Sequence, residues 1–490
     1  MCKIFSDNFF LKFITTSLII AAQFITCAGE LRSISIIFTA DTHATLSTSD
    51  NTPDLWNWAA TLLKMKRQEP QLILIDCGDT FQGSAIAAET RGELIAKIFR
   101  QLPFDLIIPG NHDFDFGLEQ LENLLHQGNL NALAANISPP SSSFQSWKLL
   151  ERNQLKIAVI GIAGRPDTLP LSLNNENAAI EEILPEVLRT RPDIVILARH
   201  GGKYGKSNSV YDLAKNFPEL DIIAGAHSHQ GAPGEKISGR TWFLQSPPHC
   251  SGMIRCDLRY DTNLRRIVKI SSREIHPDQS LPTPPKLKQL HLEATKIAEK
   301  NRIAIALLNK AWQFPQSKND FNSPISRLAI AAIRNDDGYS ARRIAEQPEV
   351  ILHNLPVNRQ YKSNLELNYE LIFEWFPFEE RVGELELTAA ELASVIQEIY
   401  HAPTTYPNAT RFYGLNLTRK GRIINLTPTV NAPTYRLTAT EFMLNGANGR
   451  YPVLRQLYCT KKPFFYQNTL RKMVSTYILY YKDTINNLNQ

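Results

Sequence analysis

Residues 107–117 read IIPGNHDFDFG. The apolar run from Leu106 to Pro109 predicts a short buried strand that ends on Gly110 and delivers Asn111, His112 and Asp113 to a strand-to-loop corner. Asn111 offers a neutral amide oxygen that suits a hard divalent cation, and His112 an imidazole that suits a phosphoryl oxygen. The pattern is that of an active-site corner.

The same grammar recurs outward from this stretch. From Ser33 onward short apolar runs alternate with polar or amphipathic stretches: SISIIFTA, QLILIDCG, FDLIIPG, KIAVIGIAG, DIVILARH and ELDIIAGAH. Between several of them lie helical patterns such as LWNWAATLLKMKRQ and GLEQLENLLHQ, so the fold class is α/β with buried strands. Five runs end in ionisable or amide groups: Asp41 with His43, Asp79, Asn111 with His112, His200, and His227 with His229. In open α/β sheets functional groups gather beyond the carboxyl ends of strands, so these five ends point to one crevice.

The 490 residues are 43% apolar and 21% charged, which fits an ordinary globular protein of two or three domains. A net charge of +5, evenly spread, argues against a nucleic-acid polymer as partner. At the N-terminus, Lys3 and Lys12 precede FITTSLIIAAQFI and then Thr26, Cys27 and Ala28, the order of a secretory signal over residues 1–28. The expected location is therefore periplasmic or secreted, with no stable membrane span after cleavage. The alternative is anchorage through an uncleaved signal or a lipid on Cys27, although the apolar run is shorter than the roughly 20 residues a spanning helix needs. The six cysteines, at 2, 27, 77, 250, 256 and 459, contain no CxxC pair, which excludes a zinc ribbon or a disulfide scaffold. Cys250 and Cys256 are expected in one strand, too far apart to bridge, and Cys77 in the core.

A proline-rich break, PDQSLPTPP, closes the first domain, placed at 29–280. The linker helix that follows, 281–317, leads to a second domain at 318–490. There ISRLAIAAIR predicts a helix, YELIFEWFPF a helix running into a loop, EVILHN a strand, VGELELTAAELASVIQEIY a strand then a helix, and TYRLTATEFML a strand. Thr388 and Glu391 have the spacing of a capping box.

Asp41, His43, Asp79, Asn111, His200, His227 and His229 mix oxygen and imidazole donors without a thiolate, which favours manganese, zinc, iron or cobalt. A carboxylate at Asp79 can bridge two cations. A two-metal centre makes hydroxide at neutral pH and clamps the attacking and leaving oxygens of an in-line displacement, so the implied chemistry is phosphoester hydrolysis. His112 can stabilise charge or protonate the leaving oxygen, with Asp115 or Asp113 orienting it.

DTH, GDTFQGS, GNHDFDFG, RHGG and AHSH, in this order and with AANI at 134–137, resemble the calcineurin-like metallophosphoesterases. More closely they resemble the exported bacterial 5'-nucleotidase family, which includes UDP-sugar hydrolases and 2',3'-cyclic phosphodiesterases. The resemblance implies a four-layer α/β/β/α sandwich, joined by a linker helix to an α+β substrate-binding domain. It implies two divalent ions, with manganese, zinc or cobalt expected. One would be held by Asp41, His43, Asp79 and His229, the other by Asp79, Asn111, His200 and His227, with the catalytic dyad on His112 and Asp115. The family usually has glycine where Ala44 and Ala226 stand.

In that family the second domain stacks a base between two aromatics and holds phosphate with arginine. The NxGGxR loop corresponds to NLPVNR here, so Asn354 and Arg359 keep the polar ends while Pro356 and Val357 replace both glycines. FMLNGANG resembles F-x-x-x-GGDG: Phe442 matches the stacking ring, and Asn448 stands where the family has a ribose-binding carboxylate. Phe412 is the candidate second ring, with Tyr413 and Tyr406 as alternatives.

The expected function is an exported dimetal phosphohydrolase releasing phosphate from nucleoside 5'-monophosphates. Nucleotide sugars and 2',3'-cyclic nucleotides extend that range. The altered NLPVNR loop motivates an alternative, a dimetal hydrolase of a non-nucleotide phospho- or sulfur-ester. A non-catalytic binding protein is disfavoured, because all seven ligand positions are intact.

Overall fold

The computed structural model describes residues 30–46, 54–138, 143–166, 172–204, 209–308, 312, 324–342, 347–354, 366–401, 410–420, 423–447 and 450–489. The signal segment expected over residues 1–28 lies outside them.

Strand alternation builds the first domain. In the strand Leu31–Thr39, Ile36 and Phe38 face one cluster and Ile37 another. In Leu155–Ile162, Ile157 and Val159 join the cluster of Ile36 while Ala158 and Ile160 face away, and Ile194–Arg199 splits in the same way. A side-chain period of two thus gives each sheet two buried faces. The inner faces meet each other, and the outer faces are covered by helices, among them Leu55–Gln68 and Leu118–Gly128 on one side and Glu176–Arg189 on the other. The result is the expected four-layer α/β/β/α sandwich.

Among the described residues one sheet has seven strands and the other six. In the first, Leu31–Thr39, Ile73–Asp76 and Leu106–Ile107 run parallel, and in the second Leu155–Ile162, Ile194–Arg199, Ile222–Gly225 and Thr241–Gln245 do. The strand ends that carry polar residues therefore lie along shared edges.

A helix, Lys288–Asn301, follows, and the second domain is built on a five-stranded mixed sheet with apolar clusters on both faces. The predicted helices and strands occur at Pro324–Arg334, Glu349–Asn354, Tyr369–Trp375, Arg381–Thr388 and Ala389–His401. The capping box is present, with Thr388 N–H donating to Glu391 at 2.8 Å and Glu391 N–H to Thr388 Oγ1 at 3.3 Å.

Two local readings are corrected. The strand read through TYRLTATEFML stops at Thr440, and Glu441–Leu444 turns into a short helix whose Glu441 carboxylate is held by both Arg381 and the Tyr458 hydroxyl. Cys250 lies in a turn ahead of the strand Met253–Asp261 rather than in it, while Cys77, Cys250 and Cys256 are all buried free thiols. Among the described residues no helix is long and apolar enough to cross a membrane.

Candidate metal centre

Each predicted ligand sits a few residues past a parallel strand, where the backbone turns sharply. Asp41, His43, Asp79, His227 and His229 all have left-handed backbone angles, with φ between 47° and 71°. Asp and His tolerate this region better than most side chains, yet it still costs on the order of 1 kcal/mol or more per residue. Ala44, where the resembling family has glycine, also has φ 48°. The glycines are equally constrained. A Cβ on Gly78 would collide with the backbone of Gly110 and Ile108, and one on Gly110 with the Asp79 carboxylate. The GD and GN pairs are thus the condition for two strand ends to touch.

Asp79 is the centre of the corner. Its Oδ1 accepts from the His112 N–H at 2.8 Å, while Oδ2 lies 3.2 Å from His200 Nε2 and 3.6 Å from His43 Nε2. His43 Nε2 is 3.0 Å from His229 Nε2, and Asp41 Oδ1 is 3.7 Å from His229 Nε2. The Asn111 amide oxygen is 3.2 Å from His200 Nε2, and the His200 and His227 ring centres are 5.3 Å apart. The His227 N–H donates to the Asp41 carboxylate at 3.0 Å. Two tight groups result, Asp41 with His43 and His229, and Asp79 with His200 and His227, each with candidate ligand atoms within 4.8 Å of one another.

These donors fit divalent cations. The Gln82 carbonyl oxygen lies 3.2 Å from His43 Nδ1 and that of Cys77 2.7 Å from His200 Nδ1. A carbonyl can only accept, so in the neutral rings Nδ1 carries the proton and Nε2 presents its lone pair inward, the arrangement of a metal-binding imidazole. Burial pushes the Asp41 carboxyl up to about 7 and lowers His43 to about 3 and His227 and His229 to about 4. Burial also opposes charge on Asp79 and His200. Their close pairing, helped by His112 and His43, nonetheless holds Asp79 well below the carboxylate range and carries His200 up to about 9. Buried acids facing neutral imidazole nitrogens are what a pair of cations would stabilise.

The dyad alternatives separate cleanly. His112 Nδ1 lies 3.0 Å from Asp115 Oδ2. Asp113 accepts instead from the N–H groups of Gly110, Asp79, Thr80 and Phe81 at 2.7–2.9 Å, which knits the two strand ends together.

Residues 34–231 match the calcineurin-like phosphoesterase family. Bovine 5'-nucleotidase is 26% identical over 223 residues, 40% of this chain and 38% of that protein. A Thermus thermophilus 5'-nucleotidase precursor superposes with a TM-score of 0.65 at 16% identity, covering 92% of this chain and 97% of that one. The chain is similar to 5'-nucleotidases in fold over most of its length and in sequence over about two fifths of it. The Thermus thermophilus sulfate thiohydrolase SoxB shares the fold of this chain, with a TM-score of 0.61 at 14% identity, covering 92% and 94% of the two chains. The chain spans only 17–38% of the length of the first curated relatives it matches.

The remaining predicted positions lie in the second domain. Phe412 and Phe442 are partly buried against the same apolar cluster, and Asn354 ends a strand paired with Thr410. Arg359 and Asn448 lie outside the described residues, as does Tyr406.

Sequence reasoning missed several groups. Asp76, hidden in the run LILID, is fully buried and accepts from the Thr39 and Thr80 hydroxyls at 2.6 and 2.7 Å. An acid closing an apolar strand was its visible signal. His249 has its ring centre 5.3 Å from that of His43 and 5.2 Å from that of His229. Phe378 stacks on His112, with ring centres 5.1 Å apart. Nothing in local spacing marks either of these two.

Proposed function

We propose that this chain is a dimetal phosphohydrolase that releases phosphate from nucleoside 5'-monophosphates and accepts nucleotide sugars or 2',3'-cyclic nucleotides. The observation that carries the reading is Asp79, whose single Oδ2 lies within 3.6 Å of imidazole nitrogens from both donor groups. Asp41, His43, Asp79 and His229 would hold one ion, and Asp79, Asn111, His200 and His227 the other, with manganese, zinc or cobalt suited to the donors. Such ions supply a nucleophile at neutral pH and positive charge for the phosphoryl oxygens.

The chain's own part is orientation and proton transfer. Asp115 takes the hydrogen bond of His112 Nδ1, which fixes the ring so that His112 protonates the leaving oxygen. Asp113 sets the distance between the Asp79 and Asn111 loops through its four backbone hydrogen bonds. In the second domain Phe442 and Phe412 stack the base, Asn354 and Arg359 hold phosphate, and Asn448 meets the ribose. The nucleotide assignment draws on relatives such as bovine 5'-nucleotidase. Export through residues 1–28 to the periplasm or medium belongs to the same proposal, as do domain limits at 29–280, 281–317 and 318–490.

A second reading, hydrolysis of a non-nucleotide phospho- or sulfur-ester, is favoured by Pro356 and Val357 in NLPVNR, which put side chains where the family has glycine. Phosphate release from AMP, UMP, UDP-glucose and a 2',3'-cyclic nucleotide, with manganese present, tests the first reading. Silence on all four beside hydrolysis of another ester favours the second, and no hydrolysis of any ester sinks both.

A further inference from the structure

Residues 376–379, FPFE, follow the helix Tyr369–Trp375 and bring the second domain against the dyad. The Phe378 and His112 rings lie nearly parallel, 16° apart, with centres separated by 5.1 Å. Gln82, buried in the loop after Asp79, donates from its side-chain Nε2 to the Pro377 carbonyl at 2.7 Å, and its backbone carbonyl accepts from His43 Nδ1. One residue, by its main chain on one side and its side chain on the other, thus joins a candidate metal ligand to this turn. From the other side Arg471, on the helix Leu470–Tyr481, donates to the carbonyls of Phe376 and Pro377 at 3.1 and 3.0 Å and pairs with Glu379. Its guanidinium is also near enough to Asp115 for their charges to interact. The turn is clamped from two directions, and the ring it presents is the one on His112.

The hydrogen bond from Nδ1 to Asp115 fixes one edge of the imidazole but leaves the ring able to pivot about that bond. A stack on the ring face removes the pivot without competing for the edge nitrogens. Proton transfer depends steeply on such placement.

We propose that Phe378 is a positioning residue that holds the His112 ring in the orientation used for proton transfer, so that the dyad is complete only when the second domain's turn is seated. The inference rests on the role given to His112 under Proposed function. Because Phe378 acts through His112 and not on a nucleobase, its effect falls on turnover equally for substrates with and without a base.

The test uses the full chain, zinc-loaded and labelled with carbon-13 at histidine Cε1, with the His112 resonance identified by its loss in His112→Gln. A ring-current shift on that resonance, lost in Phe378→Leu and kept in Phe378→Tyr, is expected. In phosphate-release assays with manganese, Phe378→Leu lowers kcat roughly 10- to 100-fold with KM within about twofold, for AMP and glycerol phosphate alike, and Phe378→Tyr restores most of it. A resonance indifferent to Phe378→Leu overturns the proposal whether or not any ester is hydrolysed. A fall carried by KM or confined to AMP overturns it in favour of base binding, and a rise in kcat overturns it in favour of a plug. Unaltered protein that hydrolyses no ester removes the proton-transfer role together with the proposed function, whereas activity intact in Phe378→Leu removes the positioning role alone.

Discussion

The carboxylate of Asp115 lies 3.0 Å from Nδ1 of His112, while Asp113, two residues earlier, has its carboxylate turned the other way onto four backbone N–H groups. Adjacent acids of one motif therefore do different work, one on chemistry and one on architecture. Substitutions at each should fail in different assays.

Asp115→Asn is expected to reduce kcat with little change in thermal stability, and His112→Gln to reduce it by roughly 100- to 10,000-fold, the span of a lost general acid. If the two act as a unit, the double variant is no slower than His112→Gln alone. Steady-state phosphate release decides this, and additive losses would separate the pair.

Asp113→Ala should instead destabilise the fold by about 4 kcal/mol or more, because four buried N–H groups lose their acceptor and each unsatisfied donor costs roughly 1–3 kcal/mol. A melting temperature within a degree or two of the unaltered protein would count against that role for Asp113.

Metal analysis of purified protein should give close to two transition-metal ions per chain. Asp79→Ala should fall below one ion with no hydrolysis, since the carboxylate adjoins both donor groups. His229→Ala, which touches one group only, should retain about one ion. Two ions held in Asp79→Ala would refute the shared-carboxylate arrangement.

The pH dependence of the metal-free protein is set by buried groups that pull in opposite directions. Burial lowers His43 to about 3 and His227 and His229 to about 4, below the ordinary value of 6.5. The unfolded chain then binds more protons than the folded one between pH 6.5 and about 4, so the stability these groups contribute is present above pH 6.5 and lost as pH falls through that window. His200 runs the other way. Burial alone would lower it, but Asp79 carries it up to about 9, so its contribution holds below pH 6.5 and is lost as pH rises through 9. Over the same window Asp41 and Asp113, pushed up by burial to about 7, and Asp76 and Asp221, pushed up to about 6, take on protons in the folded chain and offset the histidines. Melting curves of chelator-treated protein should therefore stay nearly level from pH 7 to pH 4.5, and a steep fall would contradict the raised carboxyls.

The parts legible in the sequence were those where chemistry directly follows a strand. Asp41, Asp79, Asn111, His200 and His227 each stand within a few residues of an apolar run, and alternation within those runs predicts the buried sheets they extend. What stayed hidden depends on contacts between distant segments. Gln82 and Pro377 are 295 residues apart, and no periodicity connects them. His249 reaches the corner because its N–H bonds the Asp41 carbonyl at 2.8 Å, a pairing between a turn and a strand end far away in the chain. Glu441 ends a strand early because Arg381, on the neighbouring strand, claims its carboxylate, whereas local propensity alone favours continuing through Phe442 and Met443.

The left-handed backbone at Asp41, His43, Asp79, His227 and His229 narrows the alphabet at those positions twice over. Cation binding asks for carboxylate or imidazole, and the torsion angles independently disfavour branched and bulky side chains while tolerating Asp, Asn and His. Attempts to retune ion preference by installing other donors would meet resistance from the main chain before any ion arrived, and Asp–Asn–His exchanges are the substitutions this corner can absorb.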